Sequence, residues 1–197
     1  EAELEYETDD RKPVSVFGLV RHGEYQQGSE DYSRALLEVE WRPASSVSIR
    51  LGPQYDWGTT GAQYVDTFDD PLARDTYGKR YVFAELDQQE ISANIRLNWT
   101  FTPKLSLELF AQPLISSGNY REYKELAYPK TYDFLKYGTG SSTITPVTDA
   151  SGTITGYSAD PDGAGPAPAL DLPNPDFTYA SLRGNAVLRW EYLPGST

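Results

Sequence analysis

Apolar and polar residues alternate along most of this chain, the period expected of strands with two chemically different faces. Val47, Ile49, Leu51, Pro53, Tyr55 and Trp57 alternate with Ser48, Arg50, Gly52, Gln54 and Asp56. The same beat runs through Ile91, Ala93, Ile95, Leu97, Trp99 and Phe101, against Ser92, Asn94, Arg96, Asn98 and Thr100. It recurs from Leu105 to Ile115, from Ser181 to Tyr192 and, more briefly, from Arg34 to Trp41. Residues 13 to 26 form a less regular strand, and Ala2, Leu4 and Tyr6 mark the tail of another. Helical periodicity is nearly absent. The pattern predicts about seven strands.

The connections take turns between two classes. Short ones lie at Thr8–Pro13, Arg42–Ser46, Thr102–Lys104 and Leu193–Thr197, most built on Pro, which fixes φ and lacks a ladder donor. Long, polar, Gly-rich ones are expected at about 58–79 and 116–176, with a shorter one at Gln26–Asp31. Antiparallel strands joined this way put all short turns at one end. Within the longest connection, Thr143–Val147 and Gly152–Ser158 flank Asp149-Ala-Ser-Gly152 and read as a hairpin, while Asp160–Gly163 and Gly165–Pro168 resist regular structure.

An aromatic sits on the apolar phase beside each of several short turns: Trp41, Trp99 with Phe101, and Trp190 with Tyr192, with Tyr6 similarly placed. Trp and Tyr favour a membrane interface, where the ring is half apolar and half hydrogen-bonded, so these residues are expected to form a girdle. The opposite phase carries Glu38, Glu40, Arg50, Arg96, Glu108, Arg183, Arg189 and Glu191, the interleaved charges of a polar barrel lumen. Strands of about 11 residues suit a tilted bilayer crossing. The expected fold is all-β: one domain over 1–197, part of an antiparallel up-and-down transmembrane β-barrel. A soluble β-sandwich binding module is the competing architecture. Hydrocarbon demands that every strand edge be paired, so seven strands alone would leave the barrel incomplete and missing its remainder.

Composition narrows the partners. Seventeen basic and 29 acidic residues give a net charge of −12, a poor match to nucleic acid, whose phosphates need clustered cations. Cys is absent, which excludes disulfides, thiolate metal sites and thiol nucleophiles. Met is absent too, and the chain opens on Glu1, as expected of a processed protein or an excerpt. No apolar run has the roughly 20 residues of a transmembrane helix.

Several stretches also look familiar. Ser181–Thr197, Leu97–Leu107, Ala111-Gln-Pro113 with Ser117-Gly118, and Asn174–Phe177 resemble an uncharacterised family of bacterial outer-membrane proteins. That family joins a module similar to carbohydrate-binding family nine to a carboxy-terminal domain of unknown function. The resemblance spans about residues 80–197 by motif and the earlier strands by pattern. It implies an outer-membrane location, a further strand after the Pro194–Thr197 turn, and the role of anchor or pore for a carbohydrate-handling surface protein. Some relatives are labelled membrane-associated hydrolases, which makes a hydrolase with its site in lumen or loops the alternative; the label transfers no catalytic residue.

Candidate chemistry is sparse. A Ser-His-Asp arrangement would need His22, the single histidine, and no Gly-x-Ser-x-Gly elbow accompanies it. Glu38, Glu40 and Glu108 are carboxylates of the right type for glycoside cleavage, but interleaved arginines read as charge pairing. Asp66, Asp69, Asp70 and Asp75, and separately Asp160 and Asp162, miss the spacing of an EF-hand calcium loop. No catalytic residue, metal ligand or cofactor motif is assigned. Tyr120, Tyr123, Tyr128 and Tyr132, interspersed with Arg121 and Lys124, are candidates for stacking on glycans. The expected partners are the lipid bilayer of the outer membrane and glycans.

Overall fold

The structure, a computed structural model, describes residues 1–25 and 29–193. Seven strands make one antiparallel sheet: β1 (Ala2–Glu7), β2 (Val14–Glu24), β3 (Glu30–Ala44), β4 (Val47–Asp69), β5 (Lys79–Thr102), β6 (Leu105–Leu126) and, after an insert, β11 (Phe177–Trp190). Each pairs with its neighbour in that order, and β7 (Phe134–Lys136) adds to the far end of β6. Within the insert, β8 (Thr143–Thr148), β9 (Ile154–Asp160) and β10 (Leu170–Pro173) form a separate three-stranded sheet. The hairpin expected around Asp149–Gly152 is β8–β9, its turn held by Asp149, which accepts from the N–H groups of Ser151 and Thr153.

The expected loops at 58–79 and 116–176 need correction. β4 continues to Asp69 and β5 begins at Lys79, so that only residues 70–78 turn, through a short 3-10 turn at Arg74–Thr76. Tyr77 and Gly78 both take positive φ there, 60° and 79°. Similarly, β6 runs on to Leu126. The reason is physical: near their far ends β4 and β6 carry polar groups on both faces, so alternation fades while ladder pairing persists. Bulges at Thr60/Gln63, Tyr64/Asp66 and Phe83/Glu85 also break the phase. The Gln26–Asp31 connection falls partly outside the described residues, but Tyr25 N–H donates to the Glu30 carbonyl (2.8 Å) and closes its base. Pro194–Thr197, the turn expected after the last strand, also lies outside the described residues.

The densest packing is at the far end, not in the middle of the sheet. Val82, Ala84 and Leu86 alternate along β5 on the phase that lower down carries Glu90, Arg96 and Asn98. Val82 and Ala84, with Tyr123 of β6, are covered by Tyr137, Ala159, Leu170 and Leu172 of the insert. The insert therefore folds over the polar face rather than projecting from the rim. Burying an aliphatic side chain there contributes roughly 1.5–3 kcal/mol. An ion cluster seals it: Arg80 donates to Asp70 (2.7 Å) and to both Glu125 oxygens (2.6 and 2.8 Å), and the Tyr137 hydroxyl donates to Glu125 (3.0 Å). Just below, the Phe177 ring lies over Gly118, where a Cβ would collide with it and with Leu86.

The sheet is open. β1 and β11 are its two edges and do not pair with each other. With seven strands alternating in direction, those edges run the same way.

Candidate functional site

Register assigns each side chain to one of two faces, since directly paired residues share a face. Leu4, Val20, Ala35, Tyr55, Ile91, Ile115 and Ala180 form one continuous row across all seven strands. Rows nearer the short turns are equally apolar: Val14, Trp41, Ile49, Leu97, Leu109 and Ala186 make one, and Val47, Trp99, Leu107 and Leu188 the next. Among the described residues nothing covers this face: Leu4 is 72% exposed, Ile91 61% and Leu188 64%. At its far edge the phase turns ionic, where Arg121 meets Asp87 (2.5 Å) and Glu85 (2.8 Å), and Thr59 donates to Asp87 (2.7 Å).

Trp41, Trp99 and Trp190 lie on this face at the short-turn end, along an inclined line, while the fourth tryptophan, Trp57, lies on the same face toward the far end. Trp41 shares its row with Leu97, and Trp99 stands two residues nearer the turn, two strands away. Trp99 shares its row with Leu188, and Trp190 again stands two residues nearer the turn, two strands further. A step of one residue per strand, at about 3.4 Å rise and 4.8 Å strand spacing, inclines the line by about 35° to the hydrogen-bonding direction. Phe101 stacks on Trp99 (4.3 Å between ring centres), and Tyr192 adjoins Trp190 (6.1 Å). Tyr6, opposite Gly18 and so four residues up from the level of Val14 and Trp41, sits above the extended line.

The opposite face carries Glu38, Glu40, Arg50, Arg96, Glu108, Arg183 and Arg189, seven of the eight charges that the sequence singles out; Glu191 follows the end of β11. Glu40, Arg50 and Arg96 are successive members of one row, ending at Phe110 and Asn185. Arg50 reaches Glu40 (3.1 Å) and Glu38 (3.5 Å), while the Ser48 hydroxyl donates to Glu40 (3.0 Å). Arg96 instead lies over the Phe110 ring, 5.3 Å from its centre. Glu108 stands between Asn98 and Val187, Arg183 opposite Gln112 and Arg189 opposite Ser106. Charge pairing is thus concentrated on β3 and β4, and Arg183 and Arg189 have no ion pair among the described residues.

No family model, curated protein or solved structure matches this chain. The family reading rests on the residues alone.

The glycan candidates separate. Tyr123 does not offer a ring: it is 4% exposed, packs on Tyr157 (4.9 Å) and donates to the Pro173 carbonyl (3.3 Å). Burial, aided by the neighbouring Tyr157, raises its phenol above the usual value. Tyr120 packs beside the same core, whereas Tyr128 and Tyr132 are exposed and remain available. Positive φ at Glu122 marks the bulge that turns Tyr123 inward, a feature no periodicity shows.

His22 faces the apolar phase opposite Ser33, whose hydroxyl lies 2.9 Å from Nδ1, with Glu24 3.7 Å from Nε2. A nucleophile and base are thus adjacent, but Ser33 sits mid-ladder between β2 and β4, where backbone N–H groups pair across strands. Ser33 lies in register with His22 and Trp57, so its own backbone is part of the ladder rather than an oxyanion hole, the larger part of acyl-transfer catalysis. The acidic runs diverge: Asp70 pairs with Arg80, Asp69 with Lys79, and Asp66 accepts from the N–H of Thr67. Among the described residues no three His, Cys, Asp or Glu side chains converge.

Proposed function

We propose that this sheet is wall of a transmembrane β-barrel in a bacterial outer membrane, serving as anchor or pore. The observation that carries the reading is the uncovered apolar face, bounded by tryptophans at one end and by an ionic belt at the other. From Ile91 to Phe101 the apolar phase spans ten steps, about 34 Å along the strand at 3.4 Å each. Tilted by 35–45°, that becomes roughly 24–28 Å along the normal, the height of an outer-membrane apolar band of about 25 Å. The inclination of the tryptophan line, about 35°, is the tilt at which those three rings come to one depth in a bilayer. Two independent features of the register therefore agree on one geometry.

The same arrangement disfavours a β-sandwich, which needs a second sheet on the apolar face; the small sheet of the insert lies on the polar one. In the barrel, the charged face becomes the lumen and the insert narrows its outer mouth. Closure requires strands against both edges. Because β1 and β11 run the same way, an all-antiparallel closure needs an odd number of additional strands. The family resemblance extends the proposal to a carbohydrate-handling surface protein, with Tyr128 and Tyr132 as its exposed ring faces.

Membrane integration tests the reading. Refolded into phospholipid bilayers together with strands that close both edges, the chain should resist extraction by alkaline carbonate and gain a protease-protected sheet. Full recovery in the aqueous fraction would contradict it.

A further inference from the structure

At the short-turn end the polar face holds a pocket of about 360 Å³ between the first two short turns, bordered by Arg11, Lys12, Arg42, Ser46, Ser48 and Asn98. No carboxylate lines it, although the chain as a whole carries a charge of −12. Arg42 shapes it. Its guanidinium donates to the Asp10 and Lys12 carbonyls, and its N–H donates to the Pro13 carbonyl (2.6 Å), stapling the β1–β2 turn to the end of β3.

The nearest carboxylates are occupied or turned aside. Glu40 is 3.8 Å from Arg42 but is already held by Arg50 and Ser48. Asp9 accepts from the Arg11 backbone N–H (3.0 Å) and organises the turn. Arg11 and Lys12 make no side-chain ion pair among the described residues, and they border the pocket together with the hydroxyl residues Ser46 and Ser48 and the amide residue Asn98. Two uncommitted cations, a third fixed in place, and neutral hydrogen-bonding groups beside them suit a tetrahedral oxyanion.

We propose that this pocket binds a phosphate group, carried either by a free solute at the inner mouth or by an anionic lipid headgroup. The assignment does not depend on the sheet closing. Titration of the purified chain with inorganic phosphate, followed by ³¹P line broadening, should show saturable binding that weakens at least about tenfold in the Arg11→Gln/Lys12→Gln double variant. Lys104→Gln, which removes a cation of the same end that does not border the pocket, should leave it unchanged. A second arm replaces phosphate by detergent micelles doped with phosphatidylglycerol or with phosphatidylcholine. Saturation by free phosphate identifies a solute as the source; broadening of phosphatidylglycerol alone, relieved in the double variant, identifies the headgroup. No binding in either arm, or binding equally lost in Lys104→Gln, would overturn the proposal. The phosphate arm reads the same in buffer as in detergent, so its failure is separate from failure of the membrane reading.

Discussion

Leu97 and Asn98 are neighbours whose side chains point to opposite faces, and the whole account turns on that difference. Leu97 and Leu188 each lie two residues inside the tryptophan line, so Arg at either would place a cation in lipid at a cost between the roughly 0–1 kcal/mol of the band's interface and the roughly 2–4 kcal/mol of its midplane. Arg at Asn98 or Val187, on the polar face, should cost far less; refolding yield into bilayers across the four variants measures the order. These assignments were legible in the sequence because a period of two admits only two phases, and a shift by one residue would exchange every side chain. Tyr123 was not legible. Its exposure depends on the bulge at Glu122, and an aromatic on a polar loop reads the same whether it meets solvent or Tyr157. Gly118 was likewise silent: the place of its absent side chain is taken by the Phe177 ring, so Gly118→Val should destabilise the β6–β11 pair, seen as a lowered thermal midpoint.

Element boundaries were the less readable level. The apolar stretches of β4 and β6 stood out, but their far-end extensions carry polar side chains on both faces, so composition there resembles a loop. The insert's placement depends on long-range contacts that no local pattern contains: Val82 and Ala84 look like ordinary strand residues until Ala159 and Leu172 cover them. The buried cluster of Arg80, Asp70, Glu125 and Tyr137 holds that cover. Arg80→Ala would leave two buried carboxylates uncompensated and should cost about 3–5 kcal/mol, read as faster hydrogen exchange across β8–β10. Burial alone would raise the Asp70 carboxyl, but the Leu72 N–H and the Arg80 guanidinium outweigh it and hold the pKa below the ordinary value. A depressed pKa stabilises the fold above the unfolded-state value and loses that contribution as pH falls through the folded one. Protection of the insert's amides, taken relative to intrinsic exchange at each pH, should therefore be constant near neutrality and fall below about pH 4, the ordinary carboxylate range.

On the scale of the molecule, the sheet presents one face of uncovered hydrocarbon and one polar face that carries the charges and, at its far end, the insert, with both edges open among the described residues. Unpaired edges attract other strands in water and are costly in lipid, so closure is part of any membrane account. The alternation that made the faces readable says nothing of what lies beyond β1 and β11. The absence of Cys gives clean access to the central claim, that the apolar face meets lipid. A nitroxide walked along residues 91–101 in bilayers, with collision rates to oxygen and to a water-soluble nickel chelate, is the most direct measurement. Oxygen accessibility should peak at Ile91, Ala93, Ile95, Leu97 and Trp99 with a period of two, and nickel accessibility at the residues between them. Flat profiles, or nickel contact at Ile95 and Leu97, would contradict it.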